Sequence, residues 1–223
     1  MTEKEAILLH LSLFVDSENP VRFTSFTAVL RDARGTTRRR EPMTGKFDPK
    51  SMTGHVGSWL GTLGYLVGLD HIGHCFKPRN VPAVRTKRSL IAALKYFGQL
   101  EDKETKAIYA LRCAFAHDYG LCNLHSDPEL QHFFVVTGGS GRLLKFPDIP
   151  WNGEYEGASQ HVTVVDLWEL GELAESVFHQ VVVLAEDDQV EIALDGGIQE
   201  LQARYLLLSP LANYQKMSEP PSS

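Results

Sequence analysis

The sequence predicts a mainly α protein carrying a small β-hairpin insertion. Two observations lead there. Apolar residues recur at helical spacing in one segment after another, from Ile7, Leu8, Leu11 and Phe14 near the start to Leu167, Leu170, Leu173, Val177 and Val181 near the end. Only residues 131–165 change to the alternation and glycine-rich turn chemistry of strands. With 43% hydrophobic and 22% charged residues in a chain of 223, the composition supports a packed core and excludes wholesale disorder. The longest apolar run, near residues 55–69, is interrupted by glycines and too short for a bilayer, so no membrane partner is expected.

Taken in order, Glu3 to Val15 reads as a helix that Asn19-Pro20 ends. Val21 to Ala33 reads as a second, with Phe23, Phe26, Val29 and Leu30 on one side, followed by a basic loop over residues 34–50. A third helix runs from about Ser51 toward Ile72. Its Gly57, Gly61, Gly64 and Gly68 imply a close helix–helix contact, because glycine otherwise weakens a helix. Residues 77–85 are a proline-containing connection. The fourth helix, capped by Thr86 or Ser89, carries Leu90, Ile91, Leu94 and Phe97 and stops at Gly98. Asp102 is placed as the cap of a fifth helix over residues 103–117. His132–Val136 and Arg142–Phe146 read as a hairpin around Thr137-Gly138-Gly139-Ser140-Gly141, with Val162–Val165 as a third short strand. Asp166 caps a long helix to about Ala185, a last helix covers roughly 188–207, and residues 213–223 read as a flexible tail.

Charge is distributed unevenly. The formal net charge is −6, yet residues 1–150 carry +5 and residues 151–223 carry −11. Two stretches are locally basic: Arg31, Arg34, Arg38, Arg39 and Arg40, then Lys77, Arg79, Arg85, Lys87, Arg88 and Lys95. Lysine and arginine contacts to phosphate supply most non-specific nucleic-acid affinity, so both stretches are candidates to track an RNA backbone, with Arg38, Arg39 and Arg40 as substrate-binding residues. Cys75, Cys113 and Cys122 are odd in number and irregular in spacing, which fits a reducing compartment. The start MTEKEAILLHLSLF lacks the basic residues and cleavage site of a signal peptide, so a cytoplasmic location is expected.

The segment with the most chemistry closes the fifth helix: Ala110-Leu111-Arg112-Cys113-Ala114-Phe115-Ala116-His117-Asp118-Tyr119-Gly120. Five positions along a helix turn through about 500°, leaving Arg112 and His117 roughly 140° apart. They converge on one phosphate only if the helix end frays or if the pair is shared between two subunits. An imidazole takes and returns a proton near neutral pH. A guanidinium holds a phosphate and stabilises developing charge. Asp118 and Tyr119 are neighbours suited to hydrogen bonding and to stacking on a base.

Arg112 and His117, four residues between them, resemble the R-x4-6-H motif of HEPN domains. The run from Leu111 to Tyr119 is similar to that family's helix end. The resemblance implies a HEPN-like helical bundle over residues 1–212, with the hairpin of residues 131–165 as an elaboration. It further implies a homodimer in which the motif helices meet, and a metal-independent endoribonuclease with Arg112 and His117 as the catalytic pair. Such proteins occur in toxin–antitoxin systems, which adds an antitoxin or regulatory protein to the expected partners. A polar residue, commonly Asn, often follows the Arg in that motif. Cys113 stands there instead, a weaker hydrogen-bond partner. A non-catalytic RNA-binding or protein-interaction module therefore stays open beside the enzyme.

Other patterns carry less. His71-Ile72-Gly73-His74 spells the first signature of class I aminoacyl-tRNA synthetases, and Lys216-Met217-Ser218 resembles the start of the second. The alternating strands and helices of a nucleotide-binding fold do not surround His71. The scattered His71, His74, Cys75, His125 and His132 contain no CxxC or HxxxH pair, so neither a metal nor another cofactor is expected.

Overall fold

The computed structural model describes residues 1–11, 23–38, 40–47, 59–82, 84 and 88–207. Helix α1 (Glu3–Leu11) buries Ile7 and Leu11 as its spacing predicts; the predicted continuation to Val15 lies outside the described residues. After strand β1 (Phe23–Thr24), helix α2 (Ser25–Thr37) starts later and ends later than expected. Its start follows from a reciprocal cap. The Thr24 hydroxyl accepts the Thr27 N–H, and the Thr27 hydroxyl accepts the Thr24 N–H, both at 3.2 Å. Its end extends into the predicted basic loop because Arg34 is buried against the far side of the molecule, where it meets Glu175. Beyond it the chain reverses, with Arg40 bridged to Phe47.

Helix α3 (Trp59–Cys75) is the central element and packs on α2 and three helices introduced below. The glycine spacing does what the sequence implies. A Cβ at Gly61 would stand 2.6 Å from Thr37 Cγ2, and Gly64 lies against Ala33, so α2 and α3 meet nearly backbone to backbone. Gly57 lies outside the described residues. Strand β2 (Phe76–Pro78) follows, then helix α4 (Ser89–Ala93), which widens into one π-helical turn over Leu94–Gly98.

Helix α5 (Asp102–Asp118) is capped by Glu101 and not by Asp102, because Glu101 and Glu104 form a reciprocal capping box. Short strands β3 (Cys122–Asn123), β4 (His132–Thr137), β5 (Leu144–Lys145) and β6 (Val162–Asp166) form a four-stranded sheet in the order β3-β4-β6-β5. Helix α6 (Leu167–Glu186) is capped as predicted, Asp166 accepting the N–H groups of Trp168 at 2.9 Å and Glu169 at 3.2 Å. The chain ends its described course with β7 (Val190–Ile192), α7 (Gly197–Tyr205) and β8 (Leu206–Leu207).

The fold is mixed α/β, which corrects the expectation of a mainly α, HEPN-like helical bundle with a β-hairpin insertion. The hairpin itself is replaced. The chain reverses at Gly138–Gly141, but β6 takes the place between the two arms, parallel to β4 from Phe133↔Val162 to Thr137↔Asp166 and antiparallel to β5. The β-branched run Val162-Thr163-Val164-Val165 buries Thr163 and Val165 there, which two arms paired to each other would leave at an edge. Gly139, at φ 82°, has its bare Cα against Trp168; a Cβ would come within 2.7 Å of the indole. The expected last helix over 188–207 is likewise corrected. Val190–Ile192 pairs antiparallel with Phe76–Pro78, and only Gly197–Tyr205 is helical. Helices α1 to α7 and strands β2, β4, β5, β6 and β7 all contribute to one continuous apolar core.

Candidate functional site on helix α5

The core-facing side of α5 is set by Ile108, Leu111, Ala114 and Phe115, all buried. Trp59, at the start of α3, stacks on Phe115 at 5.0 Å with the rings 9° from parallel, which pins the C-terminal end of α5. The helix stops where Tyr119 turns left-handed at φ 47°. Its N–H donates to Phe115 O at 3.2 Å, and the Gly120 N–H donates to Ala114 O at 3.1 Å. Tyr119 is left 52% exposed, tilted against Trp59 at 5.4 Å.

That packing decides where the motif points. Arg112 and His117 flank the outward face of α5, about 140° apart by helical geometry. Between them on the same face lie Tyr109, Cys113 and Ala116, of which Ala116 is exposed. Arg112 is half-buried and donates from Nε to Asp70 Oδ2 of α3 at 2.7 Å. Asp70 is fixed in turn, because its other oxygen accepts the Leu90 N–H at 2.9 Å at the start of α4. His117 and Asp118 are exposed in the last turn of α5, where the helix C-terminus favours a cation. One subunit thus does not bring Arg112 and His117 together.

On the Arg112 side of this face lies a cleft of about 320 Å³. Asp70, His71 and His74 of α3 form one wall, Arg88 another, and Tyr109 with Arg112 a third. The Arg88 guanidinium lies over the Tyr109 ring at 4.9 Å. Arg204 donates to His74 Nε2 at 3.1 Å. Tyr205 closes the cleft edge-on to His71 at 5.3 Å. Burial holds the His71 imidazole below its ordinary value, despite the neighbouring Asp70 carboxylate, and its Nδ1 is buried with no hydrogen-bond partner among the described residues.

The predicted basic residues separate. Arg88 of the second stretch stands beside Arg112. Lys77 pairs with Glu191 at 2.7 Å, and Arg79 with Glu3 at 2.7 Å and Asp188 at 3.2 Å. In the first stretch, Arg40 is held by Glu172 and by Gly45 O, Arg38 is exposed in a left-handed cap at φ 57°, and Arg39 lies outside the described residues. Arg34 and Arg40 line a different cleft, of about 440 Å³, which shares no residue with the first. The acidic C-terminal third thus neutralises much of the basic N-terminal portion.

Comparison with protein-family models, with characterised proteins and with solved structures finds no match. Among the described residues, no helix is long and apolar enough to cross a membrane, and no group of three or more His, Cys, Asp or Glu could hold a metal ion. All three cysteines are free thiols. Asp70 and Tyr109 are two site residues that sequence reasoning missed. Their only local signals were Asp70 and His74 one turn apart and Tyr109 and Arg112 one turn apart, and nothing local ties the first pair to the second.

Proposed function

We propose that the chain acts on RNA as a metal-independent endoribonuclease whose site forms when two copies set their α5 faces together. The observation that supports this is the shape of that face. Arg112 and His117 stand at its two edges; in the turn between them only the small side chains of Cys113 and Ala116 intervene, with Tyr109 one turn back on the same face. A two-fold partner helix crossing there would bring Arg112 of each copy toward His117 of the other. His117 would take the proton of an RNA 2′-hydroxyl as its oxygen attacks the adjacent phosphorus. Arg112 would hold the non-bridging oxygens while the 5′-oxygen leaves and regains a proton. The products would be a 2′,3′-cyclic phosphate and a 5′-hydroxyl.

The test is cleavage of mixed RNA in EDTA by wild type, by Arg112→Ala, by His117→Ala, and by the two variants mixed. Each variant alone should lose about 10²–10⁴-fold in rate. The mixture should regain about a quarter of wild-type activity, since half the dimers are mixed and each of those carries one intact site of two. No recovery would sink the shared site. Cleavage retained in both variants would sink the assignment of the pair. A second reading, an RNA-binding module without cleavage, is favoured by one observation: Arg112 is already neutralised by Asp70. It predicts salt-sensitive RNA binding with no product.

A further inference from the structure

A carboxylate can neutralise a guanidinium or it can aim one, and the atoms that meet tell the two apart. Arg112 donates to Asp70 from Nε at 2.7 Å, and among the described residues from no other nitrogen. An arginine carries five N–H donors, so four remain, on the two Nη nitrogens whose flat fork fits a phosphate. Arg34 is the contrast. Its Nε and Nη2 both close on Glu175, and its Nη1 donates to Pro42 O at 3.3 Å. That guanidinium is consumed at all three nitrogens and its side chain is 6% exposed, against 29% for Arg112. Asp70 is itself held by backbone on two sides. Its Oδ1 accepts the Leu90 N–H at 2.9 Å. Three residues along α3, Gly73 lies against the backbone of α4, where a Cβ would collide with Ser89 O and the Ala93 nitrogen. The two helices thus meet backbone to backbone, and the acid that grips Nε sits on a close-packed junction. A carboxylate fixed in this way holds a guanidinium plane in one orientation.

We infer that Asp70 is a positioning residue: it holds Arg112 by Nε so that Nη1 and Nη2 are the atoms that meet an RNA phosphate. This rests on the reading that Arg112 meets RNA, and it adds which groups prepare that arginine. Asp70, Leu90 and Gly73 belong to the same subunit as Arg112, so the grip is complete before a partner arrives, and only His117 is brought by the other copy. The non-bridging oxygens gain charge as the 2′-oxygen attacks, so a fork already aimed at them stabilises the transition state more than the bound substrate. Loss of the grip therefore lowers the rate more than the affinity. A carboxylate that only neutralised Arg112 would act in the opposite sense. Its removal would free a cation, and RNA would bind more tightly and react no more slowly.

Steady-state cleavage of a single-stranded RNA oligonucleotide by full-length Asp70→Asn tests it. The rate constant kcat should fall about tenfold, with KM unchanged or lower. Asp70→Glu, which keeps the carboxylate one methylene further out, should lose less, and it serves if the Asn variant melts early by circular dichroism. Mixed with His117→Ala, Asp70→Asn should recover to about a quarter of wild-type activity; mixed with Arg112→Ala it should recover nothing, because every site then lacks a held Arg112. An unchanged or raised kcat, or equal recovery with both partners, overturns the positioning role and leaves the cleavage reading standing. If wild type does not cleave, the cleavage reading falls, and the arginine side-chain NMR signals of the ¹⁵N-labelled protein decide the grip, with a 2′-O-methyl RNA as probe. An Arg112 Nε–H signal unmoved in the complex while its Nη signals shift keeps the grip. A displaced Nε–H signal, or no binding of that RNA, overturns it.

Discussion

Two clefts in this molecule each hold a pair of arginines, and they differ in how deeply the ion pairs that line them are buried. In the larger, Arg34 and Arg40 of the N-terminal portion meet Glu175 and Glu172 of α6. The Arg34 pair is bidentate and dry, with side chains only 6% and 11% exposed, and Tyr65 adds a hydrogen bond to Glu175 at 3.0 Å. Burial and the Glu175 carboxylate together push the Tyr65 phenol up. In the smaller cleft, which Arg88 and Arg112 line, the Arg112–Asp70 pair is partly wet at 29% and 18% exposure. The first arrangement joins α2 to α6. The second joins α5 to α3. Arginine content alone does not tell a dry cluster from a wet one; the burial of the facing acids does.

The largest effect should come from breaking the dry cluster. Glu175→Ala leaves Arg34 buried without its partner and should cost about 3–5 kcal/mol in denaturant unfolding. A loss under about 1 kcal/mol, the range of exposed pairs, would mean that Arg34 finds water or Pro42 O instead, and would erase the distinction between the clefts.

Asp70→Asn probes the wet cluster more gently. The Asn oxygen still accepts the Leu90 N–H, while the Arg112 cation loses its counter-charge. Stability should fall by about 0.5–1 kcal/mol. A loss of about 3 kcal/mol or more would show that this pair is as dry as Arg34–Glu175.

The smallest effect is on pH dependence, and it compares cleft with sheet. Burial holds His10, His71 and His132 below the ordinary imidazole value. In each, the unfolded chain takes up the proton first as pH falls, so native stability should decline once pH drops below about 6.5. Carboxylates extend the loss toward lower pH. Lys95 and Lys106 hold Asp102 down at about 2. Burial works to raise Asp166, but hydrogen bonds from Ser140, Glu169 and Trp168 hold it below the usual carboxylate range. Melting temperature against pH should therefore fall from pH 6.5 to 5 and more steeply below 4. His132→Gln, which removes the sheet's imidazole between Thr163 and Glu129, should flatten the upper part of that curve.

What sequence reasoning located correctly shares a short range. The α5 stop beside Gly120, the Asp166 cap and the Gly61/Gly64 contact each depend on residue type within a few positions, or on one face of one helix. The two-residue and three-residue strands offered no such window. Phe76–Pro78 gives too few residues for a period to emerge, and its strand character exists only against Val190–Ile192. The hairpin reading failed for the same reason: the turn was visible, but the strand that occupies its middle comes from residues 162–166.

By itself, the sequence determined the helices with long apolar stripes, their caps, and the placement of Arg112 and His117 about 140° apart on one helix. Tertiary structure decided the mixed α/β architecture and which arginines are spent. Arg34 meets Glu175 across 141 positions and Arg112 meets Asp70 across 42. Helix periods and caps arise from bonds among near neighbours and leave a local mark. An ion pair or a strand pairing depends on which distant groups share one desolvated space, and only the folded core sets that.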